Sequence, residues 1–158
     1  MKYFAYGSNM NWEDLDKWCE ERGYSSIDPG SHVESGVFSD YRLIFNYWSR
    51  SRNGGALNII RSVGDEVCGV LFTLSDEDFQ KIKEKEGPAY KPYPVNVILA
   101  DGRVAGAKTF KAKAKHELFP PTDEYLKIVL EGAEYFDLGE KCLERIKKAA
   151  QQAKATKG

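Results

Sequence analysis

Between His32 and Leu74 the chain carries four strand candidates in direct succession: His32–Phe38, Tyr41–Trp48, Ala56–Arg61 and Glu66–Leu74. Only turn signals separate them, at Ser39-Asp40, Asn53-Gly54-Gly55 and Gly64-Asp65. A doubly wound parallel sheet needs a helical crossover after nearly every strand, so this run excludes it. The remaining elements are marked by their ends. Lys2–Tyr6 is a short aromatic strand that stops at Gly7-Ser8-Asn9, and Asn11 then caps a helix with Glu13 and Asp14 at its positive end and Gly23 at its exit. Ser75, with Asp78 three residues on, opens a second helix that ends at Gly87-Pro88. Tyr93–Ala100 and Arg103–Lys113 pair across Asp101-Gly102, a two-residue hairpin signal. Thr122 caps a third helix, and Asp137 with Glu140 opens a fourth. About seven strands with four helices make an α+β fold, its mixed or antiparallel sheet strongly bent and suited to closure as a small β-barrel with packed helices. The reading is a single domain over residues 1–150, with 151–158 as a fraying tail.

Composition narrows the function classes. The 158 residues suit one core, and 42% hydrophobic residues can fill it. A formal net charge of −1 supplies no bulk attraction to nucleic acid or to an anionic membrane. No apolar run approaches the ~18 residues of a membrane span, and MKYFAYGSN reaches Gly-Ser-Asn too early for a signal peptide, so a cytoplasmic location is expected. Cys19, Cys68 and Cys142 lie far apart and suggest neither a disulfide framework nor a zinc site. His32 and His116 have no ligand cluster around them, and no G-x-S-x-G, P-loop or G-x-G-x-x-G is present, so no metal or cofactor is expected. Lys111, Lys113 and Lys115 alternate as a solvated or protected edge strand does.

Three places carry more information. At Tyr6-Gly7-Ser8-Asn9 a strand turns directly into a capped helix, and successive N–H groups at such a corner can cradle an oxyanion or a carboxylate. Glu86 follows Phe79 by seven residues and therefore continues the apolar stripe of Phe79 and Ile82. Burial and the negative end of the helix both raise its pKa and suit it to proton transfer; the other reading is a carboxylate that reaches water or pairs with Lys83. Tyr125 shares an inward face with Ile128, Val129 and Gly132, as an ordinary core tyrosine or as a substrate-orienting hydroxyl.

Together, Tyr3-Phe4-Ala5-Tyr6-Gly7-Ser8-Asn9, Gly54-Gly55-Ala56, Gly64 to Val70, Glu86-Gly87 and Pro120-Pro121 through Tyr125 to Gly132-Ala133 resemble the γ-glutamylcyclotransferase family of the AIG2-like superfamily. The similarity runs in order from Tyr3 to about Ala149. It implies a small, highly bent β-barrel and conversion of a γ-glutamyl amino acid or amide to 5-oxoproline and a free amine, without cofactor or metal. It also implies Glu86 as the catalytic acid–base group, and Tyr3, Phe4, Ala5, Tyr6, Gly7 and Ser8 as the substrate-binding strand and loop. Tyr125 falls on a substrate-contacting tyrosine. Pro88 to Tyr93 offers two tyrosines for one family position, and Tyr93 is favoured over Tyr90 because it opens the next strand. The expected partners are a small γ-glutamyl substrate and, from the resemblance alone, a second copy in a homodimer. Alternatives are a cyclotransferase for another γ-glutamyl amine or biosynthetic intermediate, and a binding module on the same fold without turnover.

Overall fold

The computed structural model describes residues 1–30 and 32–157, with the side chain of Lys157 excepted. Five strands close a barrel in the order β1-β3-β2-β4-β5: β1 Lys2–Ala5, β2 Glu34–Ser49, β3 Gly54–Thr73, β4 Tyr90–Leu99 and β5 Val104–Ala112. All neighbours are antiparallel except β1 and β5, whose parallel pairing at Tyr3 and Lys108 completes the closure. Among the described residues four α-helices pack around it: α1 Trp12–Arg22, α2 Asp76–Glu86, α3 Asp123–Tyr135 and α4 Glu140–Lys157.

The strand count differs from the sequence reading for a local reason. Ser39-Asp40 and Gly64-Asp65 do not end strands. Pairing passes from Ser39–Glu66 to Tyr41–Arg61, so residues 62–65 bulge opposite Asp40, whose carboxylate accepts the Gly64 N–H at 3.0 Å. The bulge bends two long strands where four short ones are expected, and bending is what a closed barrel of few strands requires. The β4–β5 hairpin forms where expected, but through Ala100, Asp101 and Gly102. The Gly102 N–H donates to Leu99 O at 2.9 Å, and the glycine takes φ 90 as the left-handed residue of a three-residue loop.

Helix starts follow from side chains that accept orphan N–H groups. Asn11 accepts from Asp14, Ser75 from Asp78 and Thr122 from Tyr125. Asp137 does not cap α4; it takes a left-handed φ of 53 in the turn leaving α3, and α4 begins at Glu140. The expected fraying tail is instead helical through Lys157, because Ala149, Ala150 and Ala153 form a small-residue face that buries against the barrel and its neighbours. Gly158, the last residue of that expected tail, lies outside the described residues.

The core holds Phe4, Phe45, Phe72 and Phe110, all fully buried. Cys68 on β3 and Cys142 on α4 form a disulfide, with Cα atoms 5.9 Å apart. The sequence reading has no such bridge, since 74 residues separate the pair and only the docking of α4 on the sheet brings them together. Among the described residues no helix is long and apolar enough to cross a membrane.

Two glycines set how closely the pieces around the barrel mouth approach. A Cβ on Gly55 would lie 1.7 Å from the Phe119 carbonyl oxygen, so the 119–122 segment can lie on the β2–β3 hairpin only over a glycine. A Cβ on Gly132 would lie 2.8 Å from the Asn11 nitrogen, so α3 depends on that glycine to press against the turn before α1.

Candidate active site

A cavity of about 770 Å³ opens at one end of the barrel, between α1, α3, the tip of the β2–β3 hairpin and the end of α2. Tyr3, Tyr6, Gly7, Ser8, Glu86 and Tyr125 all line it, from three stretches of sequence that only the fold assembles. Phe4 and Ala5 do not: both are fully buried in the core, as strand alternation turns Phe4 away from the Tyr3 side. Tyr93 is also elsewhere. Its hydroxyl meets that of Tyr41 at 2.5 Å, whereas Tyr90 lines the cavity and donates to Leu57 O at 2.7 Å. The structure thus brings Tyr90 rather than the expected Tyr93 to the cavity, because β4 begins at Tyr90 and that first residue points inward.

Glu86 ends α2 and sits at the cavity wall, where burial raises its pKa and the charges of Lys85 and Arg52 oppose the rise. Asn9 Nδ2 donates to Glu86 Oε1 at 3.3 Å and to Tyr3 Oη at 2.9 Å. Tyr125, on the first turn of α3, accepts the Leu57 N–H at 3.3 Å, which leaves its own proton for another acceptor. Burial is the largest influence on that hydroxyl, whose pKa is pushed up to about 12; it is a donor throughout the neutral range. Tyr3 and Tyr6 are raised above the ordinary tyrosine value, again chiefly by burial. Beside Glu86 the wall thus carries neutral phenols.

The turn Ser8–Met10 follows β1 after Tyr6 and Gly7. The first N–H groups of such a turn have no partner within it, and Gly7, Ser8 and Asn9 line the cavity. A polar wall completes the site. Arg52, at the β2–β3 tip, makes two hydrogen bonds to Asp14 on α1, at 3.0 and 2.8 Å, and lies over the Tyr125 ring at 5.4 Å. Lys85 Nζ donates to Asn9 Oδ1 at 2.7 Å and pairs with Asp14 Oδ2 at 3.5 Å. Asn9, Asp14, Arg52 and Lys85 are the residues that sequence reasoning leaves out of the site. Asp14 reads as an ordinary helix-start acid and Lys85 as a helix-end cation, and no local signal marks Arg52 in its basic turn. Asn9 stands in the quoted Tyr3–Asn9 stretch and was the one within reach. Among the described residues no group of three His, Cys, Asp or Glu side chains could hold a metal ion.

Sequence and fold both match known proteins. The sequence pattern of the AIG2-like family fits residues 66–146, from the second half of β3 to the middle of α4. The chain belongs to the AIG2-like family. As an AIG2-like protein it is 27% identical over 138 residues to the γ-glutamylcyclotransferase of Bos taurus, an alignment covering 83% of this chain and 69% of the bovine one. The Mus musculus γ-glutamylcyclotransferase is 25% identical over 152 residues, covering 92% and 76%. A solved structure named as a γ-glutamyl cyclotransferase superposes with a TM-score of 0.77 at 25% identity, covering 93% of this AIG2-like chain and 86% of that one.

Proposed function

We propose that this chain is a γ-glutamylcyclotransferase, which converts a γ-glutamyl amide to 5-oxoproline and a free amine. The observation that carries this reading is Glu86: a carboxylate with a raised pKa that lines a cavity together with neutral tyrosines and the corner that follows β1. The similarity to named cyclotransferases over most of the chain supports it.

In this reading the substrate's own α-amino group attacks its γ-carbonyl and closes a five-membered ring. Nucleophile and electrophile belong to one molecule, so holding the folded conformer exploits proximity worth up to ~7–11 kcal/mol. No protein nucleophile is needed. Glu86 takes a proton from the α-ammonium group and returns one to the leaving nitrogen, and its raised pKa brings it nearer the operating pH. The N–H groups at Gly7 and Ser8 receive the α-carboxylate or the carbonyl oxygen, and the Tyr125 hydroxyl donates to the glutamyl group.

A panel of γ-glutamyl dipeptides, assayed for 5-oxoproline release, tests the reading. Release of 5-oxoproline with stoichiometric free amino acid is the expected result. Thermal stabilisation by the dipeptides without any product overturns it in favour of a binding module.

A further inference from the structure

We propose that Lys85 is a positioning residue for Glu86, locking the Asn9 amide that donates to the carboxylate and keeping that carboxylate ionised in the empty site. The inference rests on Glu86 as the base of the proposed reaction.

The geometry starts from the asymmetry of an amide. Asn9 has one acceptor end and one donor end, and only its hydrogen-bond partners decide which end faces which way. Lys85 Nζ, on a side chain 8% exposed, can only donate when it is protonated. Burial lowers its pKa, while the charges of Asp14 and Glu86 oppose the fall. It lies 2.7 Å from Asn9 Oδ1 and 3.4 Å from Ser8 Oγ. That fixes the acceptor end and turns Nδ2 toward Glu86 Oε1 and Tyr3 Oη. A side chain at position 85 that cannot donate leaves Asn9 Oδ1 without its charged partner, so that Glu86 and Tyr3 alone hold the amide.

Charge points the same way. Asp14, Arg52, Lys85 and Glu86 carry two negative and two positive charges and balance in the empty site. A zwitterionic γ-glutamyl group enters without changing the sum. Moving its ammonium proton to Glu86 leaves the four residues with one net positive charge, opposite the one negative charge that the substrate keeps on its α-carboxylate. Lys85 is what makes both states balance. Without it the empty site carries a net negative charge, and Glu86 draws a proton from solvent at a higher pH.

The tyrosines around Glu86 do not provide this control, and Arg52, whose charge also opposes the rise of the Glu86 pKa, is committed to Asp14. Tyr3 and Tyr6 from the β1 segment, Tyr90 from β4 and Tyr125 from α3 all have raised pKa values and stay neutral. Asp14 on α1 is held by Arg52 and Lys85, and Arg52 has both terminal nitrogens on Asp14. Lys85 is therefore the charge next to Glu86 whose removal leaves the Arg52–Asp14 pair intact.

The test is the pH profile of kcat/KM for 5-oxoproline release from a γ-glutamyl dipeptide that the wild type turns over, with Lys85→Met, Lys85→Gln and Lys85→Arg. Glu86 works as a carboxylate, so activity falls as pH drops through its pKa, and removing a neighbouring cation moves that fall to higher pH. The two neutral variants should shift the acid limb up by about 1 pH unit, whereas Lys85→Arg should keep it near the wild-type position. Infrared titration of the Glu86 carboxylate, with Glu86→Gln as the reference spectrum, should show the same shift without substrate. An acid limb unmoved in both neutral variants overturns the proposal, and so does a shift in Lys85→Arg as large as that in Lys85→Met. Neutral variants that unfold beside a folded Lys85→Arg assign the cation to stability and overturn it as well. If the wild type releases no 5-oxoproline from any dipeptide, the proposed reaction fails, while the infrared titration still decides whether Lys85 holds Glu86 ionised.

Discussion

The Arg52 guanidinium grips both carboxylate oxygens of Asp14, joining the tip of the β2–β3 hairpin to the first turn of α1 across the cavity rim. Burial alone would raise the Asp14 pKa. The hydrogen bonds from Arg52, with the charges of Lys85 and Arg52, outweigh it and hold the carboxyl below its ordinary value. A depressed carboxyl pKa contributes stability that is present above the unfolded value near ~3.9 and is lost as pH falls through the folded one. Asp14→Asn should therefore cost about 2–3 kcal/mol at pH 7, since it leaves two cations without their partner. It should also flatten the loss of stability below about pH 4. Urea melts of both proteins between pH 2 and pH 7 measure the two effects together.

Glu86→Gln keeps the size of the side chain and removes its proton exchange. Turnover should fall at least ~100-fold, the lower end for a positioned acid–base group. Affinity for the γ-glutamyl group should change far less. The folded-state pKa of Glu86 is raised, so its ionised form opposes folding as pH rises, and the amide should leave the melting temperature equal or higher. Release rate and dipeptide affinity, measured on the same folded variant, check this.

Tyr125→Phe removes the acceptor of the Leu57 N–H and the donor facing the cavity. The expected result is a KM increase of about 3–10-fold, the value of one ordinary hydrogen bond. Because the Tyr125 hydroxyl is pushed up to about 12, it does not titrate in the assay range. Steady-state kinetics from pH 6 to pH 9 should show the same curve shape for both proteins.

Gly55→Ala places a methyl group where the Phe119 carbonyl oxygen stands. The 119–122 segment has to lift from the hairpin, breaking the hydrogen bond from the Gly55 N–H to Pro120 O, 2.9 Å long. Destabilisation of at least about 2 kcal/mol is expected, with Tyr125 displaced because Thr122 caps its helix. A lowered denaturant midpoint together with a raised KM would meet the expectation, and an unchanged midpoint would refute it.

Cys68→Ser opens the bridge between β3 and α4, whose cysteines lie 74 residues apart. A loop of that length constrains the unfolded chain by about 4 kcal/mol. The melting temperature should drop by about 10 °C, and dithiothreitol should do the same to the wild type. Neither cysteine lines the cavity, so 5-oxoproline release at 25 °C should persist. Paired calorimetry and activity assays separate the two effects.

Elements whose causes are local were legible in the sequence. The caps Asn11, Ser75 and Thr122 act within three residues of themselves, and the seven-residue step from Phe79 to Glu86 is a property of one helix. Those relationships hold wherever the helix ends up, so reading along the chain finds them. Tertiary structure alone decided the rest. Whether Ser39-Asp40 ends a strand or bends one depends on what residues 62–65 do across the ladder, and whether Tyr90 or Tyr93 faces the cavity depends on how β4 enters the barrel. The Cys68–Cys142 bridge and the set of Asp14, Arg52 and Lys85 around Asn9 join residues 38 to 76 positions apart. Such pairings carry no periodicity and no cap, because their energy exists only once the barrel has closed and brought its ends together.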